Sequence, residues 1–212
     1  MSARYTAKRR AEDVIECLQR AFPDAECSLD FDTPERLAIR GILSAQCTDK
    51  RVNITSAVLF EKYPSMEDLK AATPDDVADI IRPCGLTRSK TASVMDFASR
   101  YCGSWGNKIP NDIDILMECK GVGRKIANLI VGEIYGTPAI VVDTHCKRVM
   151  YRIGLTDNTD PNKVEEDLNK VIPDEYKISI GHMAVELGRT YCRAQSPDCS
   201  ACPLSGCCRK RV

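Results

Sequence analysis

Hydrophobic residues recur at helical spacing along almost the whole chain, and the breaks between the runs are clearly marked. In "AKRRAEDVIECLQRAFP" the residues Val14, Ile15, Leu18 and Ala21 share one stripe that stops at Pro23. "DTPERLAIRGILSAQ" predicts a second helix, with Thr33 as N-cap, Pro34 at the first helical position and Glu35 in the first turn. "DKRVNITSAVLFEKYP" predicts a third, ended by Pro64, and "TPDDVADIIRP" repeats the Thr-Pro start and ends before Pro83. In "SKTASVMDFASRYCG" the residues Val94, Phe97, Ala98 and Tyr101 share a face, with Gly103 as the stop. A short helix fits "NDIDILMECKG". A longer one fits "RKIANLIVGEIYG", where Ala127, Ile130, Val131 and Ile134 form a stripe and Gly136 and Pro138 end it. "THCKRVMYRIGL", "DPNKVEEDLNKVIP" and "DEYKISIGHMAVELGRTYC" complete the series. Only "AIVV" at 139–142 is short, apolar and β-branched, and it reads equally as an extended linker. The pattern therefore predicts an all-α fold, without repeats or low-complexity tracts.

Composition narrows the class. The 212 residues suit one large domain or two small ones, with 43% hydrophobic and 28% charged residues. No apolar run approaches the length of a membrane span, so no membrane partner is expected. The start "MSARYTAKRRAED" is basic but lacks an apolar h-region, and it reads as a solvated helix end rather than a targeting signal. Thirty basic residues balance thirty acidic ones, which excludes a general nucleic-acid coat but not a local basic face.

Twelve cysteines change the picture. Without a signal sequence a reducing compartment is expected, and a disulfide scaffold is a poor reading. Cys17, Cys27, Cys47, Cys84, Cys102, Cys119 and Cys146 are scattered and read as small buried apolar residues. The other five crowd into "CRAQSPDCSACPLSGCC": Cys192, Cys199, Cys202, Cys207 and Cys208. This stretch has one Cys-x-x-Cys knuckle and no histidine. Four thiolates in one compact loop suit an iron–sulfur cubane, while zinc and redox or disulfide chemistry stay open.

The remaining chemistry gathers around "CKGVGRKIANL". It is not a Walker loop, whose glycines stand further apart, and no strand precedes it as a dinucleotide fingerprint requires. Helix, Gly-x-Gly turn, helix defines a helix–hairpin–helix at about 113–132. Such a turn points successive backbone N–H groups at an anion, usually a nucleic-acid phosphate bound without regard to sequence. Lys120, Gly121, Gly123 and Arg124 are the candidate contacts, and a plain glycine-mediated corner is the alternative. Lys125 stands on the first turn of the following helix. A cation there opposes the macrodipole, which favours the free amine, a nucleophile; the alternative is a lysine that only neutralises phosphate. Asp143 in "VVDTHCKRV" reads as an N-cap, whose fixed carboxylate can also serve chemistry. His145, one of two histidines, is a candidate DNA contact or a structural hydrogen-bonding residue.

Taken together these parts resemble the endonuclease III family of DNA glycosylases over nearly the whole chain. "GVGRK" leads to "VDTH" at the family's spacing, and the tail fits its Cys-x6-Cys-x2-Cys-x5-Cys pattern. The resemblance implies two helical domains with DNA between them: a six-helix barrel at 28–137 containing the hairpin, and a discontinuous domain of 1–27 and 138–212. The latter carries a [4Fe-4S] cluster at 192–208 on Cys192, Cys199, Cys202 and Cys208, leaving Cys207 outside. It implies Lys125 as nucleophile and Asp143 as its carboxylate partner in a bifunctional glycosylase and abasic-site lyase. The expected substrate is double-stranded DNA with oxidised pyrimidines, flipped out of the helix and cut by β-elimination. "ILSAQCTD" resembles the family's "LSAQ" segment, so Gln46 would fill the space of the flipped base. "CGLTRSK" resembles its "GL…SK" loop, so Leu86 would wedge between bases while Arg88 and Lys90 approach phosphates. Core packing for Leu86 and a helix-end amide for Gln46 are the alternatives. Cys119-Lys120 stands where the family usually has Leu-Pro, and losing proline loosens the turn. Adenine glycosylases and lyase-deficient thymine mismatch glycosylases of the superfamily lack the lysine. A non-catalytic DNA-binding module and an electron-transfer protein compete, but neither needs Lys125 with Asp143. A monomer is expected, cytoplasmic and nucleoid-associated in a prokaryote, or nuclear or mitochondrial in a eukaryote.

Overall fold

The computed structural model describes residues 7–212, so the expectation for the extreme N-terminus lies partly outside the described residues. Eleven α-helices and no strand are found among them, as the all-α reading requires. The chain divides into two compact units, Cys27–Thr137 and Met1–Glu26 with Pro138–Val212.

The Cys27–Thr137 unit contains α2 (Pro34–Leu43), α3 (Asp49–Lys62), α4 (Met66–Ala71), α5 (Pro74–Ile81), α6 (Thr87–Cys102), α7 (Ile113–Met117) and α8 (Arg124–Tyr135). Every residue of α2 from Leu37 to Leu43 is buried, so this helix is the unit's centre, packed by α3, α6 and α8. Each fully buried Leu or Ile stabilises by about 1.5–3 kcal/mol, and the apolar stripes read from the sequence are what α2 gathers. Arg40 sits inside this core because its Nε donates to Ser56 Oγ at 2.8 Å and its guanidinium lies 5.2 Å from the Phe60 ring centre. Thr33 occupies the N-cap position of α2, but its hydroxyl makes no cap hydrogen bond. The helix α4 has no counterpart in the sequence reading. Its Ser65 accepts the Asp68 N–H at 3.1 Å while Asp68 takes the Ser65 N–H at 3.2 Å, a complete capping box.

The other unit joins α1 (Ala7–Ala21) to α9 (Thr144–Ile153), α10 (Pro161–Val171) and α11 (Lys177–Thr190). Its core takes Val14, Ile15 and Leu18 from α1, Val149, Met150 and Ile153 from α9, and Met183, Ala184 and Leu187 from α11. "AIVV" is extended without pairing. Ile140 and Val142 are buried, and Gly181 of α11 leaves room for Val141, whose carbonyl would stand 3.3 Å from a Cβ there. No helix among the described residues is long and apolar enough to cross a membrane.

Candidate functional site

The hairpin is set by its two helices and one obligatory glycine. Asp112 caps α7, its carboxylate accepting the Asp114 and Ile115 N–H groups at 2.9 and 3.1 Å. Leu116 and Val122 are buried on either side of the turn. Gly121 has φ +76°, and a Cβ there would run into the Ser93 side chain, so only glycine fits. Gly123 differs: it is the N-cap of α8 at φ −90°, and a Cβ added to it would meet nothing within 4 Å. Its own surface is open for an incoming group. No side chain caps α8 and no acid stands in its first turn. Among the described residues, no hydrogen bond takes up the N–H of Gly121, Gly123 or Lys125. Lys120, Gly121, Gly123, Arg124 and Lys125 are all exposed. Charge and geometry here are of the kind that suits an anion.

Lys125 points outward because its neighbours point inward. Ile126 and Ala127 are buried, and Ile126 packs on Gly41, where a Cβ would stand 3.1 Å from its Cγ2. The Lys125 ammonium has no hydrogen bond or ion pair among the described residues.

Asp143, in the other unit, is the N-cap of α9: its Oδ1 accepts the Cys146 N–H at 2.7 Å, and Oδ2 has no hydrogen-bond partner among the described residues. His145 is half-buried, and Arg148 Nη2 lies 3.2 Å from its Nδ1. A guanidinium only donates, so this contact is a hydrogen bond when Nδ1 is unprotonated. Burial, then Arg148 and Arg189, push the His145 pKa below its ordinary value; Asp143 and the Gly188 carbonyl oppose this and are outweighed.

The two remaining loops share an uncommon backbone. Gln46 has φ +52° and Leu86 φ +49°, left-handed conformations rare for residues other than glycine. Both are exposed, and Leu86 keeps 51% of its surface accessible, which removes core packing as its explanation. Leu86 thus joins a large exposed apolar side chain to a left-handed backbone. Arg88 is exposed beside it. Lys90 requires a correction as a phosphate contact. It is buried, 3% exposed, and its ammonium donates to the Cys84 carbonyl at 2.7 Å. Burial lowers its pKa, and it faces the Cys47 and Cys84 thiols rather than solvent.

The cysteine loop follows α11 without regular structure and is tied to α9. Arg148 Nε donates to the Cys192 carbonyl at 3.0 Å. Arg152 donates to the Arg193 and Ala194 carbonyls at 2.7 and 3.1 Å and reaches Cys192 Sγ at 3.6 Å. These two arginines escaped the sequence reading, although their spacing on one helix face beside a cysteine-rich tail was a usable signal. As placed, no three His, Cys, Asp or Glu side chains among the described residues converge tightly enough to grip a metal ion. Cys192, Cys199, Cys202 and Cys208 nonetheless lie near enough to influence one another. Burial raises the Cys202 and Cys208 thiols, and the neighbouring Cys192 and Cys199 sulfurs raise both further. The Lys210 N–H donates to Cys208 Sγ at 3.2 Å. Neighbouring thiols with an N–H donor at Cys208 and a guanidinium at Cys192 are a donor set that fits an iron–sulfur core. Cys207 differs in meeting Cys17: burial, that contact and the nearby Cys208 push its thiol up to about 12.

Comparison with known proteins gives the family. Residues 39–174 match the family described as "HhH-GPD superfamily base excision DNA repair protein", which defines the class. Endonuclease III of Bacillus subtilis is 37% identical over 203 residues, covering 95% of this chain and 93% of the relative. Endonuclease III of Synechocystis sp. is 35% identical over 202 residues, covering 95% and 92%. Among solved structures, a "Trapped Endonuclease III-DNA Covalent Intermediate" superposes with TM-score 0.88 at 39% identity, covering 94% of this chain and 96% of that one. A thermostable thymine-DNA glycosylase at 18% identity shares the fold, with TM-score 0.84. Within the HhH-GPD class, the chain belongs to the endonuclease III family of DNA-binding repair proteins.

Proposed function

We propose that this DNA glycosylase and abasic-site lyase removes oxidised pyrimidines from double-stranded DNA through a Schiff base on Lys125. One observation carries the reading. The N-terminus of α8 is an uncapped anion site with an exposed, unpaired lysine amine on its first turn. A phosphate on the Gly121–Lys125 amides holds the backbone while the damaged nucleotide is flipped out. The amine of Lys125 attacks C1′, the base leaves, and the iminium forms as the sugar ring opens. Loss of a C2′ proton then expels the 3′ phosphate oxygen, which cuts the strand. Asp143, with Oδ1 committed to its cap, offers Oδ2 to the developing positive charge and to proton transfer. Leu86 wedges into the duplex, Gln46 fills the vacated space, and Arg88, Lys120 and Arg124 neutralise phosphates. His145, half-buried beside Asp143 at the start of α9, is a further DNA contact in this reading.

Cys192, Cys199, Cys202 and Cys208 are the ligands we assign to a [4Fe-4S] cluster. When bound, it supplies thiolate cross-links to a loop that has no regular structure of its own. The protein acts as a monomer, and its bacterial relatives support a nucleoid-associated location in the cytoplasm. A DNA-binding module without chemistry is the second reading, which the unpaired amine of Lys125 disfavours. On a duplex carrying thymine glycol, Lys125→Gln should lower strand cleavage by about 10³-fold or more. Retained cleavage would overturn the assignment. Purified protein should contain iron and acid-labile sulfide in equal amounts; zinc in their place would sink the cluster.

A further inference from the structure

Cys119 and Lys120 depart from the Leu-Pro pattern, and both turn toward one carboxylate. A proline at 120 would have no N–H. Lys120 has one, and it donates to Asp96 Oδ2 on α6 at 2.9 Å. The Cys119 thiol faces the same carboxylate. Arg100 Nε meets that oxygen at 3.1 Å, donates through Nη2 to the Glu118 carbonyl at 3.1 Å, and lies 3.5 Å from the Glu118 carboxylate. Asp96 is thus the centre of a small network that grips residues 118–120 immediately before Gly121. One turn earlier on α6, Ser93 closes on Gly121. One turn earlier again, Lys90 holds the Cys84 carbonyl just before Gly85 and Leu86. Side chains at three-residue intervals on one helix therefore brace both the hairpin and the wedge loop.

We infer that Asp96 is a positioning residue for the DNA interface, fixing the hairpin turn through the Lys120 N–H so that the Gly121–Lys125 amides stay aimed at a phosphate. This rests on the hairpin being the phosphate site proposed above. The carboxylate suits the task because it is held ionised. Burial opposes the charge, but the Lys120 N–H, the Cys119 thiol and Arg100 outweigh it and keep the carboxyl below the usual carboxylate range.

The test uses the full-length protein with its cluster and a duplex carrying a tetrahydrofuran abasic analogue, with affinity measured across a salt series. Asp96→Ala should weaken binding about tenfold, the loss expected for a hydrogen bond to a charged group. The slope of log affinity against log salt should fall by about one phosphate contact, which a merely smaller folded fraction would not change. Asp96→Asn, whose amide oxygen still accepts the Lys120 N–H, should recover most of the affinity. In a Lys120→Pro background, which has no N–H to bind, Asp96→Ala should have little further effect. Wild-type affinity and slope in Asp96→Ala, or an equal loss with and without Lys120→Pro, would overturn the inference. If Asp96→Ala does not fold, Asp96→Ser, polar but too short to reach the Lys120 N–H, takes its place in the same comparison with the same expected and overturning results. Gly123→Ala run alongside separates the two readings. If it weakens binding and Asp96→Ala does not, the positioning role alone fails; if neither does, the hairpin is not the interface and both fail.

Discussion

The helices that carry Lys125 and Asp143 begin in opposite ways. α9 closes its own N-terminus: Asp143 Oδ1 takes the Cys146 N–H, and His145 is held by Arg148. α8 begins on Gly123 with no capping side chain, no acid in its first turn and a cation where the dipole disfavours one. The first arrangement is complete within the protein. The second costs stability in the free protein and is offset when an anion arrives. Gly123 matters for what it leaves open, whereas Gly121, two residues away, matters for the turn itself. α2, α3, α6 and α11 also lack a side-chain cap hydrogen bond, so what sets α8 apart is the Gly121–Gly123 turn with Lys120, Arg124 and Lys125 exposed around its open N–H groups.

Four substitutions sharpen that contrast. The largest effect is expected from Asp143→Asn. Asn caps as well as Asp, so the melting temperature should hold, while cleavage of an abasic duplex should fall by about 10²-fold through the lost charge. Equal losses of stability and activity would show that Asp143 is only a cap. Gly121→Ala comes next. Positive φ and the Ser93 contact should cost about 2 kcal/mol in urea unfolding. Gly123→Ala should do the reverse, leaving stability level or raised by about 0.5 kcal/mol. Its methyl group should lower affinity for an abasic duplex about tenfold by standing where the phosphate approaches. Unchanged affinity would break the distinction between the two glycines. The smallest effect concerns pH. The folded state holds His145 below its ordinary 6.5, so on acidification the unfolded chain takes up the proton first. Stability is therefore fully present above about pH 6.5 and declines as pH falls through the folded value. His145→Gln should flatten that decline in a thermal melt series; an unchanged slope would assign the loss to other groups.

Much of the fold was legible because its punctuation is local. Pro34, Pro74 and Pro161 open helices and Gly136 closes one in a left-handed conformation, so these limits followed from single residues, whereas the helix read as "THCKRVMYRIGL" stops sooner, at left-handed Gly154. The short α4 was missed because six residues give little periodicity, although its Ser65-x-x-Asp68 box was a signal. Lys90 was misread because charge was weighed above spacing. It stands on the same stripe as Val94 and Phe97, four and seven residues on, which is the buried face of α6. Asp96 was invisible for a different reason. Its partner lies 24 residues away, and no local pattern announces a side chain that reaches a distant backbone N–H. Lys125, Gly121 and Gly123 were legible because the tight turn and the helix start concentrate their chemistry within five residues.

The central claim is that the exposed amine on the uncapped end of α8 forms a covalent bond with DNA. Borohydride trapping on a duplex carrying an abasic site, with wild type and Lys125→Ala in parallel, tests it most directly. A reduced protein–DNA adduct with wild type that is absent from the variant is the predicted result. A duplex bound tightly by wild type with no adduct, or an adduct that survives in Lys125→Ala, would contradict it.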